Sequence, residues 1–145
     1  MANDGFTKEE KEAMRARAAE ARKARAKLKG PELAKANLED CLESIASMDE
    51  PDKSLAEWVH ATVLAAAPQL EPKTYYGMPA YAIDGKVVCF FQGASKFKVR
   101  YATLGFDTKA TLDDGTMWPT SWALLEANDA NGAHITELVK KAVGG

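Results

Sequence analysis

YYGMPAYAIDGKVVCFFQGASKFKVRYATLGF, residues Tyr75 to Phe106, is the run that sets the fold class. Asp84-Gly85 stands between two apolar runs. That dipeptide suits a two-residue type I′ turn, because both central residues need positive φ. Gly93-Ala94-Ser95 supplies a second turn, so the run predicts three antiparallel strands. A tight turn at 84–85 predicts Ile83 opposite Lys86, Tyr81 opposite Val88 and Met78 opposite Phe91. A three-residue turn after Gln92 predicts Phe91 opposite Phe97, Cys89 opposite Val99 and Val87 opposite Tyr101. With a side-chain period of two, one face holds Met78, Ala80, Ala82, Val87, Cys89, Phe91, Phe97, Val99 and Tyr101, and carries no charge. The other holds Tyr81, Ile83, Val88 and Phe90 beside Lys86, Lys98 and Arg100. The first is the expected core face.

Outward from this run, the elements are helical. Thr7-Lys8-Glu9-Glu10 is a capping box opening a helix at Lys8 that ends before Gly30-Pro31. Its interior is Ala, Arg, Lys and Glu, with Met14 as the only large apolar residue between Lys8 and Lys27. A helix polar all round stands in solvent and contributes little burial. Leu38, Cys41, Leu42, Ile45 and Met48 then recur at helical spacing. Ser54-Leu55-Ala56-Glu57 reads as a second capping box, with Leu55, Trp58, Val59, Thr62 and Val63 inward and Pro68 as the stop. Met117–Leu125 predicts a fourth strand that Pro119 confines to an edge. Asn128 or Asp129 caps a last helix with Ile135, Leu138, Val139 and Ala142 inward. The order predicts an α+β two-layer domain: an antiparallel sheet of four or more strands packed on helices. A basic helical extension occupies residues 1–30 and the domain residues 31–145.

Charge is uneven along the chain. Residues 1–29 carry nine Lys/Arg against five Asp/Glu, whereas the remainder carries ten against sixteen. Arg15, Arg17, Arg22, Lys23, Arg25, Lys27 and Lys29 admit a nucleic-acid or anionic-surface reading of the extension. They are spread around the helix without interleaved aromatics, as on a solvated face. No apolar run reaches the roughly 20 residues of a membrane span, and no signal-peptide core is present, which makes a cytoplasmic location the expectation. Cys41 and Cys89 fall at apolar positions, as buried free thiols do.

Catalytic patterns are absent: there is no phosphate-cradling glycine loop, no HExxH and no nucleophile elbow. His60 and His134 lie on different helices without ligand spacing. The expectation is therefore a non-enzymatic module. Its binding face would be Tyr81, Lys86, Val88, Phe90, Lys98 and Arg100, whose basic rim favours a small anionic ligand or an acidic protein segment.

Tyr76-Gly77-Met78-Pro79-Ala80-Tyr81, followed by Asp84-Gly85-Lys86 and the run Val87–Gln92, resembles the YdhG-like family of domains of unknown function. The resemblance covers roughly Leu38 to Val143. It implies a frataxin-like fold and, by analogy with frataxin, iron handled by carboxylates of a helix and the adjoining strand edge. The nearest equivalents here are Glu39, Asp40 and Glu43, with Asp49, Glu50 and Asp52 just beyond. Glu39 and Glu43 share a helix face, which suits weak binding of a hard cation. No other cofactor is implied.

Overall fold

The computed structural model describes residues 7–144; within the first helix the side chains at positions 14, 18 and 21–25 lie outside that description, among them those of Arg22, Lys23 and Arg25. Five helices and five strands follow in the order α1 (Lys8–Ala26), α2 (Gly30–Ala46), α3 (Asp52–Ala66), β1 (Glu71–Tyr75), β2 (Met78–Ile83), β3 (Lys86–Gln92), α4 (Ala94–Phe97), β4 (Ala102–Phe106), β5 (Ser121–Leu124) and α5 (Asp129–Ala142). The chain divides into two compact units, Met1–Ala36 and Asn37–Gly145.

In the first unit the capping box forms as its residues predict. The Glu10 N–H donates to Thr7 Oγ1 at 3.0 Å, and the Thr7 N–H donates to Glu10 Oε1 at 3.4 Å. Apart from a half-buried Ala19, the described residues of α1 are exposed, as a helix without an apolar stripe must be.

The second unit is the α+β domain. Its sheet is an antiparallel meander, β1-β2-β3-β4-β5, and both hairpins at its head use two-residue turns with positive φ at each central residue: Tyr76 (51°) and Gly77 (78°), then Asp84 (52°) and Gly85 (78°). The core gathers Cys41 and Ile45 of α2, Leu55, Val59 and Val63 of α3, and Ile135 and Val139 of α5. These pack with Tyr81, Cys89, Phe91, Leu104, Phe106 and Leu124 of the sheet. Asn128 caps α5, its side chain accepting from the Asn131 N–H at 2.8 Å.

Register departs from the strict alternation expected of β2 and β3. Ile83 pairs with Lys86 and Ala82 with Val87, but Tyr81 pairs with Cys89 and Ala80 with Phe90. Val88 is the extra residue of a β-bulge, which turns two successive side chains to one side. Val88 and Cys89 therefore both enter the core, and Tyr81 opposite them is fully buried. The whole of β2 is inverted relative to the sequence expectation: Met78, Ala80 and Ala82 lie on the second face, outside the core cluster.

The expected third strand is also shorter. Residues 94–97 form a helical turn because the buried Asp52 carboxylate accepts from the N–H groups of Ala94 (3.2 Å) and Ser95 (2.8 Å). Lys98 follows in the left-handed region, at φ 54°. The strand then resumes at Ala102, so Phe91 pairs with Leu104 rather than Phe97. Phe97, Val99 and Tyr101 are exposed instead of core. The anticipated capping box at Ser54 does not form. α3 starts three residues earlier, at Asp52 rather than Leu55, and Ser54 instead donates its N–H and hydroxyl to Glu50 at 2.9 and 2.8 Å.

Burying Tyr81 requires partners for its hydroxyl. It bonds to the Cys41 thiol and lies 2.9 Å from Nδ1 of the half-buried His60. Burial lowers the His60 pKa from its ordinary 6.5 and pushes the free thiols of Cys41 and Cys89 up to about 11 and about 12.

Two outcomes follow for stability. Phe91 is fully buried, so Phe91→Ala should cost about 3–5 kcal/mol in denaturant unfolding, while half-buried Phe90 on the other face loses less. For His60, the unfolded chain takes up a proton that the folded protein resists. Its contribution is therefore complete above 6.5 and is lost as pH falls through 6.5 towards the depressed folded value. Urea midpoints measured from roughly pH 8 to 5 should fall less steeply for His60→Gln than for the parent.

Candidate anion-binding cleft and aromatic face

On the face turned away from α3 and α5, one row crosses the sheet through Lys73, Ala80, Phe90, Gly105 and Ser121. Its small residues leave room for large neighbours to lie down. A Cβ at position 105 would sit 2.4 Å from Phe90 Cζ and 2.8 and 2.9 Å from the two Cε atoms. The ring therefore leans across β4, with its tip where a side chain at 105 would be. Tyr75 packs beside it, centroids 5.5 Å apart at 46°, and Tyr76 meets Tyr75 edge-on at 4.6 Å. On the same face Ala80 and Ala82 are buried although they lie outside the core cluster. Tyr76 is 83% exposed, and a bulky side chain at φ 51° costs about 1–2 kcal/mol of backbone strain.

Tyr75 also reaches a cleft of about 520 Å³ lined by Lys73, Gly85, Lys86, Val87, Asp107, Thr108 and Lys109. The bulge helps build it, because the Val88 carbonyl accepts from the Asp107 N–H at 2.9 Å. Asp107 in turn accepts from the Thr108 N–H at 2.7 Å and from the Tyr75 hydroxyl. Burial, and then the Asp107 carboxylate, hold the Tyr75 phenol above its ordinary pKa, so it remains a donor at neutral pH. Among the described residues lining the cleft, Asp107 is the only acid, against three lysines. None of those lysines is engaged by an ion pair with a described residue.

A second cleft, of about 270 Å³, is lined by Ser44, Ser47, Met48, Asp49, Asp52, Ser95 and Lys96. Its single ammonium group faces two carboxylates, and Asp52 is committed to α4. It offers no comparable excess of charge.

The residues anticipated as one binding face are distributed differently. Lys86 lines the cleft and Phe90 lies on the second face. Tyr81 and Val88 are core residues with no exposed surface. Lys98 caps α4, and Arg100 sits in the following loop with its guanidinium 5.1 Å from the Tyr101 ring centroid; neither is on the sheet. On α2, Glu39 and Glu43 are exposed and Asp40 is half-buried. Among the described residues, no three His, Cys, Asp or Glu side chains converge to hold a metal ion, nor is any helix long and apolar enough to cross a membrane. Lys73, Tyr75, Asp107 and Lys109 escaped the sequence reading. Tyr76-Gly77 carried the missing signal: it is a second turn of the Asp84-Gly85 kind, and Glu71–Tyr75 is the strand that must precede it.

No protein-family model, curated protein or solved structure matches the chain.

The dependence of Phe90 on Gly105 is testable by unfolding experiments on three variants. Gly105→Ala displaces the ring and should cost about 1–3 kcal/mol. Adding Phe90→Ala to Gly105→Ala should then cost less than Phe90→Ala alone, because the clash disappears with the ring.

Proposed function

We propose that this chain is a non-enzymatic binding module that takes a small anionic ligand in the Lys73–Lys86–Lys109 cleft. The observation that carries the reading is a local reversal of charge. From residue 30 onward the chain holds sixteen acidic against ten basic residues, yet three of those lysines line one cleft with a single acid. Ammonium groups held together repel one another, and an anion placed among them relieves that repulsion. In this reading the basic groups are Lys86, expected from the sequence, with Lys73 and Lys109 in place of Lys98 and Arg100.

Kinship with the YdhG-like domains is part of the proposal. It is supported by the two quoted motifs, Tyr76–Tyr81 and Asp84–Lys86, which carry the two tight hairpin tips. Iron handling by Glu39, Asp40 and Glu43, an acidic protein partner, and nucleic-acid binding by the basic extension are the competing readings.

Amide NMR titration with inorganic pyrophosphate decides among them. Shifts should cluster at residues 73, 86 and 107–109. Lys73→Ala, Lys86→Ala and Lys109→Ala together should weaken binding by roughly tenfold or more, and added salt should weaken it further. Unchanged binding in the triple variant, or ferrous-ion shifts confined to Glu39, Asp40 and Glu43 with none from pyrophosphate, would overturn the proposal.

A further inference from the structure

We infer that the anion carries a planar aromatic ring, and that the ligand class is a free nucleoside phosphate, its phosphates among the lysines and its base on the Tyr75–Phe90 surface. This rests on the reading of the cleft as an anion site and adds what the aromatic face contributes.

Tyr75 belongs to both features. Its ring adjoins Phe90, and the same residue lines the lysine cleft. A ligand seated there meets ammonium groups on one side of Tyr75 and an aromatic surface on the other. The surface is flat for a structural reason. A standing phenylalanine presents an edge, but the absence of a side chain at Gly105 lets Phe90 lean onto β4 and turn a face outward. Bases stack on aromatic faces with little regard to sequence, because every base has a π-face. A purely aliphatic anion would leave this surface unused.

Size and charge select the free nucleotide over nucleic acid. The cleft, about 520 Å³, lies within the range of small-molecule sites. A polyanion crossing the sheet would meet a domain whose remaining charge is acidic, whereas affinity for nucleic acid grows with the number of phosphates neutralised. Three lysines match the few phosphates of a nucleotide. The exposed ring of Tyr76, edge-on to Tyr75, borders the same surface and can close on a bound base.

The test uses the full chain in magnesium-free buffer, titrated with adenosine triphosphate, pyrophosphate and a single-stranded oligomer of about ten nucleotides. Adenosine triphosphate should bind more tightly than pyrophosphate and shift the amides of Tyr75, Tyr76 and Phe90. Phe90→Leu keeps an apolar side chain over Gly105 but removes the ring. It should weaken adenosine triphosphate by roughly 5- to 150-fold and leave pyrophosphate unchanged; if that variant fails to fold, Phe90→Met makes the same comparison. Equal affinity for both ligands, with no effect of the ring variants, would overturn the nucleoside inference while leaving the anion site standing. Binding of neither ligand would overturn both. Tighter binding of the oligomer than of adenosine triphosphate would replace the free nucleotide by nucleic acid.

Discussion

A single residue, Val88, governs which side of the sheet becomes the core. In a regular antiparallel ladder Val88 and Cys89 would point in opposite directions. The bulge sends both inward and brings Tyr81 opposite Cys89. The domain then encloses a phenol among aliphatic side chains, a placement that costs free energy unless its hydroxyl is satisfied. Cys41 from α2 and His60 from α3 provide the partners. One inserted residue thus sets the polar demand that two helices meet. The same residue's carbonyl fixes Asp107 at the edge of the lysine cleft, so core and surface share an origin.

Asp52 exerts a comparable influence over the other end of β3. It is buried, and it accepts two backbone N–H groups at the start of α4. Its carboxylate also packs against Gly93, where a Cβ would fall 2.6 Å from Oδ2. A side chain there would have to displace the carboxylate from the α4 N–H groups. The chain consequently turns into α4, leaves the sheet and returns at Ala102, carrying Lys98 and Arg100 off the face they were expected to rim.

What the sequence disclosed follows from how local each determinant is. The capping box at Thr7, the Asp84-Gly85 turn, the inward residues of α3 and α5 and the Asn128 cap depend on neighbours within four positions, and all are present in the structure. The five-stranded antiparallel sheet on helices was likewise legible as a class. The bulge was not, because Lys86-Val87-Val88-Cys89-Phe90 fits strict alternation and its inversion alike. Nor was α4, whose cap lies more than forty positions upstream. Of the candidate site, Phe90 was visible because it keeps its expected face, and Lys86 because it follows the Asp84-Gly85 turn directly, although the bulge separates the two in register. Tyr75 and Lys73 were hidden because β1 shows little hydrophobic alternation, and Asp107 because the bulge that holds it was not legible.

The meander order has a consequence for how the domain acquires its structure. Every strand pairs with its neighbour in sequence, and the first two connections close over two residues each. Little loop entropy is lost in bringing β1, β2 and β3 together. The packing of α3 against α5, by contrast, requires closure across the entire sheet. Contacts of low sequence separation form fastest, so the sheet is expected to assemble before the α3–α5 clamp closes. Val88 would then be committed to its side of the ladder before the helices that depend on it arrive.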